Sequence, residues 1–226
     1  MERQSTTSVI EISPDAVART LASRISLYRW RRPVYQTTLL RSLGRVWEPT
    51  HRNVLDVGGG TGIVAQSIKQ LFPVDRVVSV DVQDRYLDQL DVETQTYDGK
   101  TLPFANGQFD CVILSNVLHH VPKRMRVPLL QECGRVARVV YIKDHLAESR
   151  LDCLRLAVLD VAGNVPFGGM TSANYLTRAD WITLAAQSGF SIACRLSDRY
   201  RSGVMSRLFP NRLEVLMKWT PVAHAS

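Results

Sequence analysis

VLDVGGGTGIVAQSI, residues Val54–Ile68, decides the fold. Four of the five residues from Gly58 to Gly62 are glycine. Val54–Val57 is apolar except for Asp56, the pattern of a strand covered on both faces that carries one acid near its end. A helical pattern follows over Thr61–Leu71. A strand that enters a helix through bare backbone lets a ligand approach the main chain and meet free N–H groups. In open α/β sheets, ligands sit beyond the carboxyl ends of the strands, where this turn lies.

The same alternation continues downstream. Arg76–Val80 (RVVSV), Val92–Tyr97, Phe109–Leu114 (FDCVIL, after a turn at Asn106-Gly107) and Arg138–Ile142 (RVVYI) read as further strands. Strands separated by helical segments imply a parallel sheet with helices on both faces. The end of the chain differs. Asp180–Ser188 reads as a helix closed by Gly189. Phe190–Leu196 and Leu213–Trp219 then read as strands joined by a long turn without a helix, which an antiparallel hairpin satisfies. Before Arg52 the chain reads as helical. Ser13-Pro14-Asp15 starts one helix, and Pro33 opens a second that runs to about Val46. The expected architecture is α/β: a Rossmann-like, doubly wound, mostly parallel seven-stranded sheet with an antiparallel C-terminal hairpin and N-terminal helices. Residues 1–51 are expected to form a helical cap and residues 52–226 the main domain, with residues 146–179 as a lid insertion over a substrate.

The 226 residues are 45% hydrophobic and 22% charged, as in a globular domain with an ordinary core. MERQSTTSV at the N-terminus lacks the apolar region of a secretory signal, and no apolar run reaches the length of a membrane span. Cys111, Cys133, Cys153 and Cys194 are scattered, which fits reduced thiols in a cytoplasmic setting, with Cys111 inside a strand. The formal net charge is +7. Much of the excess is arginine near the two ends: Arg24, Arg29, Arg31, Arg32, Arg41 and Arg45, then Arg195, Arg199, Arg201, Arg207 and Arg212. Such a surface favours anionic partners, such as nucleic acid, anionic lipid or an anionic substrate. A solvated basic face with no partner accounts for it equally well.

The glycine spacing narrows the ligand. A dinucleotide fingerprint needs a small residue where Ile63 stands, which disfavours a dehydrogenase. The pattern is instead acid-x-G-x-G-x-G from Asp56. Here the sequence resembles the class I S-adenosylmethionine-dependent methyltransferases. The marks fall in order over Arg52–Trp219: VLDVGGGTG, Asp81-Val82 after the second strand, Tyr97-Asp98-Gly99 after the third, LPFANGQFD before the fourth and SNVLHHV after it. The resemblance implies S-adenosyl-L-methionine as cofactor. It implies contacts from Asp56, Gly58, Gly60, Gly62 and Ser115, from Asp81 to the ribose hydroxyls, from Val82 to adenine, and from Asp98 and Gly99 near the adenine amine. Read locally, Asp81 also suits a strand-end cap and Asp98 an Asx-turn before Gly99.

SNVL replaces the NPPY-like motif of members that methylate DNA or glutamine amides, so the resemblance implies a small-molecule acceptor, anionic or aromatic, rather than nucleic acid. The catalytic candidates are His145, His120, Asp144 and Tyr175. His145 is the expected proton acceptor, and His120 is a base or scaffold. Lys143-Asp144-His145 ends the fifth strand, where alternation puts Lys143 and His145 on one side and Asp144 on the other. A solvated strand end is the other reading. Asp160, Gly163, Asn164, Phe167, Asn174 and Tyr175 are expected over the pocket mouth, unless LRLAVLDV is simply a helix. Tyr28, Trp30 and Tyr35, among Arg29, Arg31 and Arg32, either close the pocket or pack on the core. No metal site is expected, because adjacent Asp144 and His145 are too few ligands. The expected function is methyl transfer to O, N or C of a small molecule by in-line displacement. The rivals are an RNA methyltransferase and a non-methylating partner subunit or rearrangement catalyst.

Overall fold

The computed structural model describes residues 9–164 and 173–222. The sheet consists of β1 (Asn53–Val57), β2 (Arg76–Asp81), β3 (Glu93–Thr96), β4 (Phe109–Ser115), β5 (Ala137–His145), β6 (Phe190–Leu196) and β7 (Glu214–Pro221). Their spatial order is β3-β2-β1-β4-β5-β7-β6. β1 to β5 pair in parallel, while β7 runs antiparallel to both β5 and β6. The strand order reverses between β1 and β4, the switch point at which doubly wound sheets leave a crevice.

Alternation along the strands builds a core on each face. Leu55, Val57, Val112, Leu114, Val140 and Ile142 point to one side, where they pack with Leu129, Leu130 and Cys133 of α4 (Lys123–Val136) and with Trp181 and Leu184 of α6 (Arg178–Gln187). Val54, Cys111, Ile113, Val139 and Tyr141 point to the other. That side is covered by α1 (Pro14–Ala22), α2 (Val34–Val46) and α3 (Ile63–Leu71) through Val17, Leu21, Leu40, Leu43, Ala65 and Ile68. Ser13 caps α1 through its side chain and Pro14 opens it, as read from the sequence. Pro33 precedes α2, as expected.

Two local expectations are corrected. The connection between β6 and β7 does contain a helix, α7 (Gly203–Leu208). None of its six residues is buried, so no apolar period announces it. Strand β5 does not end at a solvated terminus. It runs to His145, and Lys143, Asp144 and His145 are only 1%, 0% and 4% exposed. Each finds buried partners, which sequence periodicity does not reveal. The LRLAVLDV stretch lies in a helix, α5 (Arg150–Asn164). Among the described residues, no helix is long and apolar enough to cross a membrane.

Candidate active site

The turn after β1 is shaped by positive φ angles of 75° at Gly58, 58° at Gly60 and 75° at Gly62. A Cβ on Gly60 would meet nothing within 4 Å, so this backbone opens onto free space. At Gly62 a Cβ would come within 2.5 Å of Leu90, so that glycine serves packing. The free space is a cavity of about 480 Å³ at the switch point. Gly58, Gly60, Asp81, Val82, Gly99 and Ser115 line it, all expected from the sequence.

Three other expected residues lie outside this wall. Gly62 is one. Asp56 is buried beneath the turn, where its carboxylate accepts a hydrogen bond from the Ser79 hydroxyl at 2.9 Å. Burial, opposed by that hydrogen bond and aided by the nearby Asp81 charge, pushes Asp56 up from 3.8 to about 7. Asp98 is at the surface and accepts from the backbone N–H groups of Lys100 and Thr101, at 2.9 and 3.0 Å, in the Asx-turn manner.

Asp81 closes one end of the cavity. One carboxylate oxygen accepts from the Gly60 N–H at 2.8 Å and the other from the Gln83 N–H at 3.0 Å. The Arg85 guanidinium is 3.6 Å away. The opposite wall comes from α2 and from the segments beyond β4: Tyr35, Gln36, Asn116, His120, Met125 and Leu129. Tyr28 joins that wall, whereas Trp30 is 92% exposed. Asn116 is a non-glycine residue at φ 57°, a conformation asparagine tolerates better than most. It exchanges hydrogen bonds with the Tyr35 hydroxyl at 3.0–3.2 Å.

Behind this wall lies a buried set of charges. The Lys143 ammonium donates to the Tyr35 hydroxyl at 2.8 Å and to Glu214 at 2.6 Å, and it lies over the rings of Tyr35 and Tyr200. Burial above all keeps the Tyr35 phenol far above its ordinary value, so it stays neutral. Glu214 also contacts Arg201 and lies 3.1 Å from His145 Nδ1, without hydrogen-bond alignment. Burial would raise the Glu214 carboxyl, but Lys143, His145 and Arg201 hold it well below the usual range. Asp144 faces the other side of the sheet, as alternation requires. It accepts from His119 Nδ1 at 2.6 Å and from the N–H groups of Leu118 and His145 at 3.0 and 2.7 Å. Burial alone would lower His119, but Asp144 and Asp160 outweigh it and raise the imidazole to about 9. Against the opposing effect of burial, His119 and then His145 bring Asp144 down to about 2.

Asp160 reaches from α5 into this cluster. Its two oxygens lie 3.4 Å from His119 Nε2 and 3.4 Å from His145 Nε2, and Tyr175 donates to it. His119, His120 and Asp160 present ligand atoms within 4.8 Å of one another. Of the catalytic candidates, His120 alone lines the cavity. His145, Asp144 and Tyr175 sit in the cluster behind it. Asn174 donates its N–H to the His119 carbonyl at 2.7 Å. Phe167 is outside the described residues, as are the side chains of Gly163 and Asn164. Sequence reading missed Glu214 and Asp160 as partners of the histidines. A glutamate opening the apolar run of β7 was the available signal.

A family model described as a methyltransferase domain matches residues 54–139. Among curated proteins, the chain is 28% identical over 149 residues to the ubiquinone/menaquinone biosynthesis C-methyltransferase UbiE of Pseudomonas fluorescens, covering 58% of each. It is 26% identical over 147 residues to a myricetin 3'-O-methyltransferase of Solanum lycopersicum, covering 62% of this chain and 40% of that protein. The chain thus spans about half the length of the curated relatives it matches. Among solved structures, magnesium protoporphyrin IX methyltransferase of Synechocystis, with bound S-adenosylhomocysteine, superposes at a TM-score of 0.57 with 19% identity, over 92% of this chain and 94% of that one. A putative methyltransferase of Haloferax volcanii, solved with its activator, reaches 0.64 at 14% identity, over 93% and 99%. Residues 54–139 thus match a methyltransferase domain, and the chain shares the fold of solved methyltransferases, one of them holding the product of S-adenosylmethionine.

The cavity fits that cofactor. Gly60 leaves room at the backbone, Asp81 offers a buried carboxylate suited to a diol, and Val82 offers an exposed apolar side chain at the rim.

The buried acid under the turn makes one expectation about pH. A carboxyl raised to about 7 in the folded state is protonated there while the unfolded chain has already ionised, so it destabilises increasingly as pH rises from about 4 to 7. Asp56→Asn should remove that penalty. Its unfolding free energy relative to wild type should climb between pH 5 and pH 8 by about 2.7 kcal/mol, at about 1.4 kcal/mol per unit until the rise levels off near pH 7. Urea denaturation of the cofactor-free protein at each pH measures the difference. A difference flat with pH would mean that Asp56 ionises normally.

Proposed function

We propose that this chain transfers the methyl group of S-adenosylmethionine to a small-molecule acceptor that shares the switch-point cavity with it. The observation that carries the reading is one cavity with two unlike ends. One end is bare backbone with the Asp81 carboxylate. The other is an apolar and aromatic wall whose polar groups include Tyr28, Tyr35, Gln36, Asn116 and His120. Such a site suits a compact, partly aromatic ligand better than a polynucleotide. The similarity to enzymes named for small acceptors, on oxygen in one case and carbon in another, supports the same class.

When bound, the cofactor supplies an electrophilic methyl group on a sulfonium. The chain's own work is to hold, orient and exclude water. Asp81 accepts from the ribose diol. The glycine turn and the start of α3 face the amino-acid end with N–H groups. Tyr35, kept neutral and with its hydroxyl fixed by Lys143 and Asn116, gives the acceptor side of the cavity a rigid aromatic wall. His120 meets the acceptor's reactive group, supported from behind by His119, His145, Asp144, Asp160 and Tyr175. Incubation of host extract with enzyme and methyl-labelled cofactor tests the reading, because a labelled small molecule identifies the acceptor. Label confined to RNA would favour the nucleic-acid rival.

Two sets of substitutions follow. Asp81→Ala should weaken S-adenosylhomocysteine binding by about 2–4 kcal/mol, from two hydrogen bonds to a charged acceptor partly replaced by water. Gly60→Val should abolish binding while the protein still melts cooperatively. Calorimetry measures both, and unchanged affinity in either would remove the cofactor from this end of the cavity. His120→Ala should lower turnover by about 10²–10⁴ with cofactor affinity nearly unchanged. His145→Ala should act mainly by loosening the cluster, costing stability together with rate. The reverse ranking, measured by single-turnover rates beside thermal melts, would place His145 at the acceptor.

A further inference from the structure

We propose that His119, His120 and Asp160 bind one divalent transition-metal ion of zinc-like chemistry, directly behind the cavity wall at His120. The ligand atoms of the three residues lie within 4.8 Å of one another. They come from distant parts of the chain: adjacent histidines after β4 and an aspartate about 40 residues later on α5. Nothing in local sequence spacing brings them together.

The histidine between the carboxylates carries the argument. His119 has a side chain that is 0% exposed, and its Nδ1 is taken by Asp144 at 2.6 Å. Its Nε2 is buried and makes no hydrogen bond. That nitrogen points at Asp160 Oδ2 from 3.4 Å, too long and misaligned for a hydrogen bond. With metal–ligand bonds of about 2.1 Å, two ligands of a tetrahedral ion are separated by about 3.4 Å. The orphaned nitrogen and the carboxylate therefore already stand at the spacing of a shared ion.

The surroundings have the organisation of a metal site's outer shell. Ligating histidines typically give their second nitrogen to a carboxylate, and ligating carboxylates are themselves held. Asp144 holds His119 in this way. Asp160 is held by Tyr175 and by His145, whose Nε2 lies 3.4 Å from Oδ1 and whose other nitrogen faces Glu214. Two imidazoles and one carboxylate suit zinc, iron, cobalt or nickel rather than magnesium or calcium. Three protein ligands leave a coordination position open, the arrangement of sites that take an exogenous ligand. His120 also lines the cavity, so an oxygen of the acceptor is the natural fourth ligand. This last step rests on the proposed methyl transfer, whereas ion binding does not.

The test uses the full chain, stripped with a chelator and dialysed against Zn²⁺ or Co²⁺. The expected results are one metal per chain by mass spectrometry, a raised melting temperature, and visible d–d absorption from Co²⁺ in the wild-type protein. Asp160→Asn should abolish the Co²⁺ spectrum. Asp144→Asn, which keeps all three ligands, should weaken affinity by roughly 10–100-fold. His51→Gln, outside the cluster, should bind as wild type. Substoichiometric metal with no Co²⁺ spectrum in wild type would overturn the proposal and leave the cluster a network of ion pairs. So would a full spectrum in Asp160→Asn. S-adenosylhomocysteine binding measured in parallel separates the two readings. Cofactor bound by a chain that takes no metal overturns only the metal site, and metal bound by a chain that takes no cofactor overturns only the methyl-transfer reading.

Discussion

The reversal of strand order between β1 and β4 is the constraint on which the rest depends. The helix after β1, α3, packs on one face of the sheet, and the helix after β4, α4, packs on the other. Their first turns diverge and leave a gap between the two strand ends. That gap is the cavity. Bare backbone at Gly58–Gly60 widens it at one side, and α2 roofs it with Tyr35 and Gln36, joined by Tyr28 from the turn before that helix. The N-terminal helices thus belong to the same core as the sheet while supplying part of the wall.

A second constraint is electrostatic. Lys143, Glu214, His145, Asp144, His119 and Asp160 are withdrawn from water at one end of the sheet, with Arg201 largely so. Isolated, each charge would be costly; arranged with alternating sign, each has a partner. The antiparallel insertion of β7 beside β5 makes this possible, because its register sets Glu214 opposite His145 and diagonal to Lys143. Lys143 holds Tyr35 from behind, and the His119 ring, its centroid 4.0 Å from that of His120, backs His120, which is how rigid elements give a cavity fixed polar groups.

Much of this was legible in the sequence, for identifiable reasons. Val54–Ile68 announced a strand, a bare turn and a helix because apolar period and glycine spacing are local properties. The N-terminal helix starts and the C-terminal hairpin were legible for the same reason. Asp81, Val82, Gly99 and Ser115 line the cavity, as read, because each stands at or just beyond the carboxyl end of a strand. The burial of Lys143-Asp144-His145 was not legible, since their partners Tyr35, His119, Asp160 and Glu214 are 15 to more than 100 residues away along the chain. Helix α7 was missed because it has no buried face. The expectation of no metal site weighed only the adjacent Asp144 and His145, because the approach of Asp160 to His119 and His120 is a tertiary contact that sequence spacing does not show.

The central claim is that the switch-point cavity binds S-adenosylmethionine rather than a dinucleotide. Isothermal titration of the purified chain with S-adenosylhomocysteine, and separately with NAD, tests it most directly. The account predicts saturable binding of one S-adenosylhomocysteine per chain and none of NAD, because Ile63 stands where a dinucleotide turn needs a small residue. Binding of NAD with no binding of S-adenosylhomocysteine would contradict it.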